Sequence, residues 1–306
     1  MKSSDESLIS VAKMQPEEIG RVRHHSPKLL IRCIIAYMKI SVAQIDVKVG
    51  DSEANLKKMS EYVERAAEEK ADVIVFPEMS DTGYLMSVIV QKAEKWDCGI
   101  VLQLQHLAKQ YKIHIVAGLS ERSGNKVFNA IASIDIKGKI TAKYRKTHLV
   151  SVEPMVEHKH LSRGNELIVA KVYNQLAGFM TCYEVRFPEI ARCLTLAGAT
   201  IIFLPAAFPL SRIQHWETLV AARAIENQVF VVAANRVGKD GPGLEFGGTS
   251  MIVTPYGEII THASKSEETL VSADIDFGVI AEARAKMDLL KDRQPELYSK
   301  KVIVVS

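Results

Sequence analysis

The chain has 306 residues, 47% of them hydrophobic, enough for one large domain with a well-buried core or two small ones. A formal net charge of +3, with no basic run interleaved with aromatics, gives no argument for nucleic acid, and no apolar run is long enough to span a bilayer. Cys33, Cys98, Cys182 and Cys193 lie far apart with no CxxC pair, which argues against a disulfide framework or a cysteine-rich zinc site and for a reducing, cytoplasmic setting.

Residues 1–37 are rich in Ser, Lys and Arg and show no clean period. Their apolar run 29–37 is broken by Arg32, so it makes a poor signal peptide or anchor. They read as a poorly ordered N-terminal extension ahead of a functional domain over 38–306. Regular pattern starts with KISVAQIDV, where both parities are partly apolar, as in a sheet covered on both sides. A helix follows, capped by Asp51 or Ser52, with Leu56, Met59 and Val63 at helical spacing. The run 73–76 is a buried strand closed by Pro77, and Glu78 comes directly after it. Residues 93–111 read as one helix and 113–119 as a strand. Residues 128–144 read as a hairpin turning near Gly138, with Lys146 just past its second arm. The loop 150–164 carries Glu153, Glu157, His158 and His160. Leu176, Ala177, Phe179 and Met180 form a short buried strand. Cys182 stands at its end, and Phe187-Pro188-Glu189 opens a helix. Further strands and helices alternate to the C-terminus, with no internal repeat of 20–50 residues. One domain with mixed sheets and its site at strand ends is the simplest account.

Cys182 fits equally as a core filler or as a nucleophile when taken alone. Backbone N–H groups at a strand-to-helix turn favour a negative sulfur and can hold an oxyanion. Glu78 alone reads more readily as a surface or salt-bridged carboxylate. Three strand ends presenting Glu78, Lys146 and Cys182 change the balance. A thiol is mostly protonated at neutral pH, and Glu78 is the base to take its proton. Attack on an amide carbon then gives an oxyanion, with Lys146 and the Tyr183 N–H to stabilise it. The protonated Glu78 can donate to the leaving amine and later activate water.

The segments VIVFPEMSDTGY, KYRKTHL and GFMTCYEVRFPE resemble the carbon–nitrogen hydrolases of the nitrilase superfamily, whose signature is a Glu-Lys-Cys triad. FLPAAFP, HWETLVAARAIENQVFVVAANRVG and GGTSMIVTPYGEII resemble them too. The resemblance implies an α/β, four-layer αββα sandwich, with homodimers or higher homo-oligomers, no metal and no organic cofactor. It makes Glu78 the base and acid, Lys146 the oxyanion stabiliser and Cys182 the nucleophile. It implies a second glutamate, Glu157 rather than Glu153, set by its spacing to Gly164. That residue would orient Lys146 and hold the substrate amide nitrogen. The Ser162-Arg163-Gly164 end departs from the family's usual Pro-Gly. His158 and His160 read as solvated.

CYEVRFPE and PAAFPLSRIQHW resemble the amidase branch that includes omega-amidases, which act on small amides often carrying a distant carboxylate. The expected partner is a small-molecule amide, cleaved through an acyl-enzyme with release of ammonia. N-carbamoyl hydrolysis is the alternative within the family, with nitrile hydrolysis behind it. An ammonia-supplying domain of a larger synthetase lacks its partner here, and a non-catalytic scaffold or redox sensor has the filled triad against it. Arg186 fits a carboxylate subsite or an ion pair with Glu189 or Glu226. Tyr84, Tyr183 and Phe208 are candidate substrate contacts; Tyr84, Phe208 and Trp216 could equally be core. Removing residues 1–37 should leave ammonia release intact, and loss of active protein would refute the extension reading.

Overall fold

Strand β1 (Tyr37–Gln44) presents an apolar side chain to each of its faces. Met38, Ile40 and Val42 join Val73, Phe179 and Phe203 in one cluster; Ala43, with Ile45 and Val47 beyond the strand, joins Met59 and Leu104 in another. A strand greasy on both sides must be covered on both, and the remainder of the chain supplies the two covers. The computed structural model describes residues 37–241 and 243–300; the expectations for residues 1–36 and for the final VIVV run lie outside them.

Helix α1 (Ser52–Glu68) joins β1 to β2 (Val73–Phe76), and α2 (Met86–Lys92) with α3 (Gly99–Tyr111) leads to β3 (His114–Ser123). These three strands are parallel; β4 (Lys126–Ile134) and β5 (Ile140–Arg145) add antiparallel beyond β3. The second half repeats the scheme. Strands β7 (Gln175–Phe179), β8 (Ile201–Ala206) and β9 (Phe230–Asn235) are parallel and joined by α4 (Pro188–Leu196) and α5 (Ile213–Asn227). Beyond β9, β10 (Met251–Val253) and β11 (Ile259–His262) add antiparallel. The free side of β7 is paired by β6 (Val169–Val172), and that of β1 by β12 (Thr269–Asp276). Helix α6 (Gly278–Lys286) and the single turn α7 (Pro295–Tyr298) follow.

The sheets run β12-β1-β2-β3-β4-β5 and β11-β10-β9-β8-β7-β6. They pack face to face through one apolar cluster, with α1 and α3 outside the first sheet and α4 and α5 outside the second. The result is the αββα order of layers expected above.

Local chemistry explains the element boundaries. The Asp51 carboxylate accepts from the Ala54 N–H at 3.1 Å and starts α1. Pro188 opens α4, where its missing N–H has no helical partner to lose. The single helix expected over 93–111 is broken. Chain 93–98 leaves the helical path so that Trp96 can be buried, its indole N–H donating to the Ser120 carbonyl at 2.9 Å, and Gly99 restarts the helix from φ +61°. Leu176, read as part of a buried strand, is 46% exposed, because it faces the rim beside Gly198 at the end of α4.

Gly118 in β3 passes directly under the chain at Glu78. A Cβ there would lie 2.6 Å from the Glu78 Cα and 2.6 Å from the Pro77 carbonyl oxygen, so backbone would have to move. Gly118→Ala should therefore destabilise the protein by about 1–3 kcal/mol and displace the Glu78 carboxylate. Denaturant unfolding beside an activity assay checks this; an unchanged midpoint with full activity would contradict the tight approach.

Candidate active site

Four side chains from four segments meet between the C-terminal ends of the two parallel strand sets. Glu78 follows β2, Lys146 follows β5, Cys182 follows β7, and Glu157 sits in a 3-10 turn in the loop after Lys146. Glu78, Lys146 and Glu157 are fully buried, and Cys182 is 2% exposed.

The Lys146 ammonium lies between two carboxylates, 2.8 Å from Glu78 Oε1 and 2.8 Å from Glu157 Oε2. Asn129 Nδ2 donates to Glu78 Oε1 at 2.5 Å and to Glu157 Oε1 at 2.8 Å. The remaining oxygens have backbone donors: Ala207 N–H to Glu78 Oε2 at 2.8 Å, and Val150 N–H to Glu157 Oε2 at 2.9 Å. Gly164 anchors the loop by donating to the Lys146 carbonyl at 2.9 Å. A Cβ at 164 would stand 2.1 Å from the Arg145 carbonyl oxygen, which explains a glycine at the end of this loop without a preceding proline. Glu153, the other acid of the loop, is exposed and pairs with Lys159 at 3.5 Å. His158 is exposed, with its ring nitrogen 3.2 Å from the Val150 carbonyl.

Cys182 adopts φ +44°, a conformation that a non-glycine residue holds only when its surroundings impose it. The 3-10 turn Cys182–Arg186 separates it from α4. The expected bias toward a negative sulfur is not realised in this resting arrangement. Burial, and then the Glu78 carboxylate, push the thiol well above its usual range, against the opposing pull of Lys146 and the Ala207 N–H. Glu78 itself is raised, chiefly by burial, with Lys146 pulling the other way. Burial would lower Lys146, but Glu157, Glu78 and Cys182 outweigh it and hold the ammonium above the ordinary lysine value. The site is thus built as thiol, ammonium and carboxylate, with a base needed to release the sulfur's proton.

Two side chains of this network were not singled out for it from sequence. One is Asn129, whose only signal was a polar residue inside the apolar hairpin strand. The other is Glu184, read above only for substrate type. Its buried carboxylate accepts from Tyr144 Oη at 2.7 Å, Thr147 N at 2.8 Å, Thr147 Oγ1 at 2.7 Å, His148 N at 3.1 Å and Thr181 N at 2.8 Å. It therefore ties the chain just after Lys146 to the turn that carries Cys182.

The candidate substrate contacts divide. Tyr84 is buried, and its hydroxyl has no hydrogen-bond partner of normal geometry; burial and the charges of Glu157, Glu78 and Cys182 raise its pKa well above the ordinary tyrosine value. Phe208 is buried and packs on Trp216 with ring centroids 5.2 Å apart. Trp216 donates its indole N–H to the Thr249 carbonyl at 3.1 Å, a core role. The Arg186 guanidinium stands 5.1 Å from the Phe208 ring centroid, 3.2 Å from His215 Nδ1 and within electrostatic reach of Cys182 and Arg212. It does not make the ion pair weighed above: Glu226 is taken by Arg223 at 2.6 Å, and no carboxylate of the described residues pairs with Arg186. Tyr183 turns away, packing edge-on to Phe187 with centroids 5.3 Å apart. It lines a separate surface cavity of about 650 Å3 together with His148, Phe187, Glu189 and Cys193, which none of the four buried groups reaches.

Two face-packed mixed sheets with a buried carboxylate–ammonium–thiol cluster at their strand ends define an αββα hydrolase scaffold. The family model "carbon-nitrogen hydrolase" matches residues 39–285, and the chain belongs to that family. It is 36% identical over 260 residues to a 2-oxoglutaramate amidase of Bacillus subtilis (strain 168), covering 85% of this chain and 98% of that one. It is 31% identical over 272 residues to the omega-amidase NIT2 of Xenopus tropicalis, covering 87% and 98%. A point mutant of the amidase from Nesterenkonia sp. AN1, with the acetamide moiety of fluoroacetamide added covalently at its active-site cysteine, superposes with a TM-score of 0.76. That pair is 25% identical, covering 85% of this chain and 95% of that one.

The Glu184 hydrogen bonds hold its carboxyl below the ordinary glutamate value although burial alone would raise it; those from His148, Tyr144 and Thr147 lead. A folded pKa below the unfolded one contributes stability above the unfolded value and loses it as pH falls through the folded one. Glu184→Gln should cost on the order of 3 kcal/mol at neutral pH, with the gap to wild type narrowing in acid. Urea midpoints from pH 7 down to pH 3 test this; a gap that stays constant would contradict it.

Proposed function

We propose that this protein hydrolyses the terminal amide of a small carboxamide, an ω-amide of a short dicarboxylic acid, through an acyl-enzyme on Cys182. The single observation that carries this reading is the buried Glu78–Lys146–Cys182 arrangement, with the Lys146 ammonium 2.8 Å from the Glu78 carboxyl. The names of the relatives, and the adduct on the cysteine of the Nesterenkonia amidase, support the same chemistry.

Glu78 Oε2 takes the proton from Cys182 Sγ as the sulfur bonds to the amide carbon. The Ala207 N–H, which faces both atoms, is then free to follow the negative charge onto the substrate side. The carbonyl oxygen becomes an oxyanion beside Lys146, whose ammonium is already desolvated and needs no reorganisation. The new proton on Glu78 passes to the amide nitrogen, the C–N bond breaks, and ammonia leaves a thioester. Water then adds to the thioester carbon as Glu78 removes its proton; Cys182 leaves with that proton and the free acid departs. Glu157 keeps Lys146 charged and in place. Tyr84 and Phe208 wall the pocket.

Arg186 would bind the distant carboxylate. The lack of an acidic partner among the described residues, its position over Phe208 and its electrostatic link to Cys182 support that role. We also propose a homodimer or higher homo-oligomer in the cytoplasm. Exposed Leu196, Ile225 and Tyr256 on the α4–α5 side support the first, and the free thiols of Cys98, Cys182 and Cys193 support the second. Among the described residues no helix is long and apolar enough to cross a membrane.

Ammonia release should be fastest with ω-amides of short dicarboxylic acids in a panel that also holds neutral amides, N-carbamoyl compounds and nitriles; silence on all amides would overturn the reading. Glu78→Gln should leave no acyl adduct on Cys182 by intact mass. Arg186→Ala should raise KM for carboxylate-bearing amides by about 10–100-fold while moving neutral amides little. An equal loss for both kinds would remove Arg186 from carboxylate recognition. Activity should rise as pH climbs through the elevated Glu78 value, so the acid limb of kcat/KM should sit above the ordinary glutamate range.

A further inference from the structure

Two carboxylates within 2.8 Å of one ammonium repel each other, and burial weakens the screening that bulk solvent would give. With both carboxyls in their carboxylate form, Glu78, Lys146 and Glu157 together carry one excess negative charge, which is at odds with their complete burial. The neutral side chain that relieves it comes from β4. Asn129 gives one N–H to Oε1 of each glutamate and uses up its donors doing so. Its backbone carbonyl accepts from the Lys146 N–H at 2.8 Å, so one residue fixes the lysine at its main chain and fixes both anions at its tip. The orientation has a cost. Asn129 Oδ1 is buried with no partner among the described residues. Turning the amide over would aim that oxygen at two carboxylates, so the orphan is the consequence of serving both anions at once.

Resting on the reading of Glu78 as the base, we propose that Asn129 is a positioning residue that holds Glu78 and Glu157 on opposite sides of the Lys146 ammonium and keeps Glu78 in its proton-accepting form. It touches no reacting atom. The groups facing Glu78 are Lys146 from the end of β5, Glu157 from the loop, Cys182 from the turn after β7 and Tyr84 from the loop after β2. Of these only Lys146 favours the carboxylate form. Removing the Asn129 donor leaves the repulsion unanswered, and Glu78 retains its proton to higher pH.

The test uses the full chain and the amide that gives the fastest ammonia release, with kcat, KM and the pH profile of kcat/KM measured for Asn129→Leu and Asn129→Asp. Asn129→Leu keeps the approximate volume, and Asn129→Asp keeps the shape but exchanges donors for a third carboxylate. The expected result is a fall in kcat of about 100-fold with KM within a few-fold, and an acid limb displaced upward by about one pH unit. The displacement should be larger in the Asp variant. Thermal melts report the folded fraction, and a variant that fails to fold leaves the other to decide. Wild-type kcat with an unmoved limb overturns the proposal, and so does an activity loss that merely tracks lost folded protein while the limb stays put. Glu78→Gln is assayed in parallel. Turnover surviving there takes down the assignment of the base and this inference with it; an inactive Glu78→Gln beside wild-type-like Asn129 variants takes down this inference alone.

Discussion

A lysine ammonium with no access to water can exist only if its counter-charges are supplied in advance, and Lys146 shows how much structure that demands. Glu78 arrives from the end of β2, Glu157 from a loop pinned through Gly164 to the lysine's own carbonyl, and Asn129 from the neighbouring strand. Losing any one of these groups leaves an uncompensated charge or an orphaned polar atom in a dry interior. The same desolvation raises the Glu78 and Cys182 pKa values, so the force that makes the cluster costly also sets the proton affinities of the carboxyl and the thiol beside it.

The sheets bring these pieces together through a duplicated plan. In each half three parallel strands are extended by two antiparallel ones and closed on the other side by a sixth, which for the first sheet comes from the far end of the described chain. The second strand of one parallel set ends at Phe76, two residues before Glu78, and the second strand of the other ends at Ala206. The two ends meet: Glu78 N–H lies 3.4 Å from the Ala206 carbonyl, and the Ala207 N–H reaches the Glu78 carboxylate. A backbone donor at a strand end of one sheet thus serves a carboxylate at a strand end of the other, which requires the sheets to keep their facing register. The apolar cluster between them, with Phe179, Phe203 and Phe230 from one sheet and Val42, Val75 and Val116 from the other, holds that register.

Much of this was legible in the order of residues. Apolar runs stopped by a single charged or sulfur-bearing residue marked Glu78, Lys146 and Cys182, because a buried strand that ends in such a residue must solvate it, pair it or use it. Helical spacing marked α1, Pro188 marked the start of α4, and the two apolar parities of β1 announced a sheet covered on both faces. The late start of the helix expected over 93–111, at Gly99, escaped because the buried Trp96 ahead of it takes its hydrogen-bond partner from a carbonyl in β3, remote in sequence. The duplication escaped too, since it resides in strand pairing and leaves no recurrent residue pattern.

Segment types, their sequence along the chain and the three reactive strand ends were thus set by local composition alone, since the period of apolar residues and the punctuation by Pro and Gly act over a few residues. The fold itself decided which loop glutamate is buried and which faces water, that Asn129 and Glu184 become the knots of two buried networks, and that Arg186 pairs with no acid among the described residues. Each of those outcomes turns on desolvation and on partners tens to hundreds of residues away. A carboxylate's fate is written in the dielectric around it, and that environment exists only once both sheets have closed.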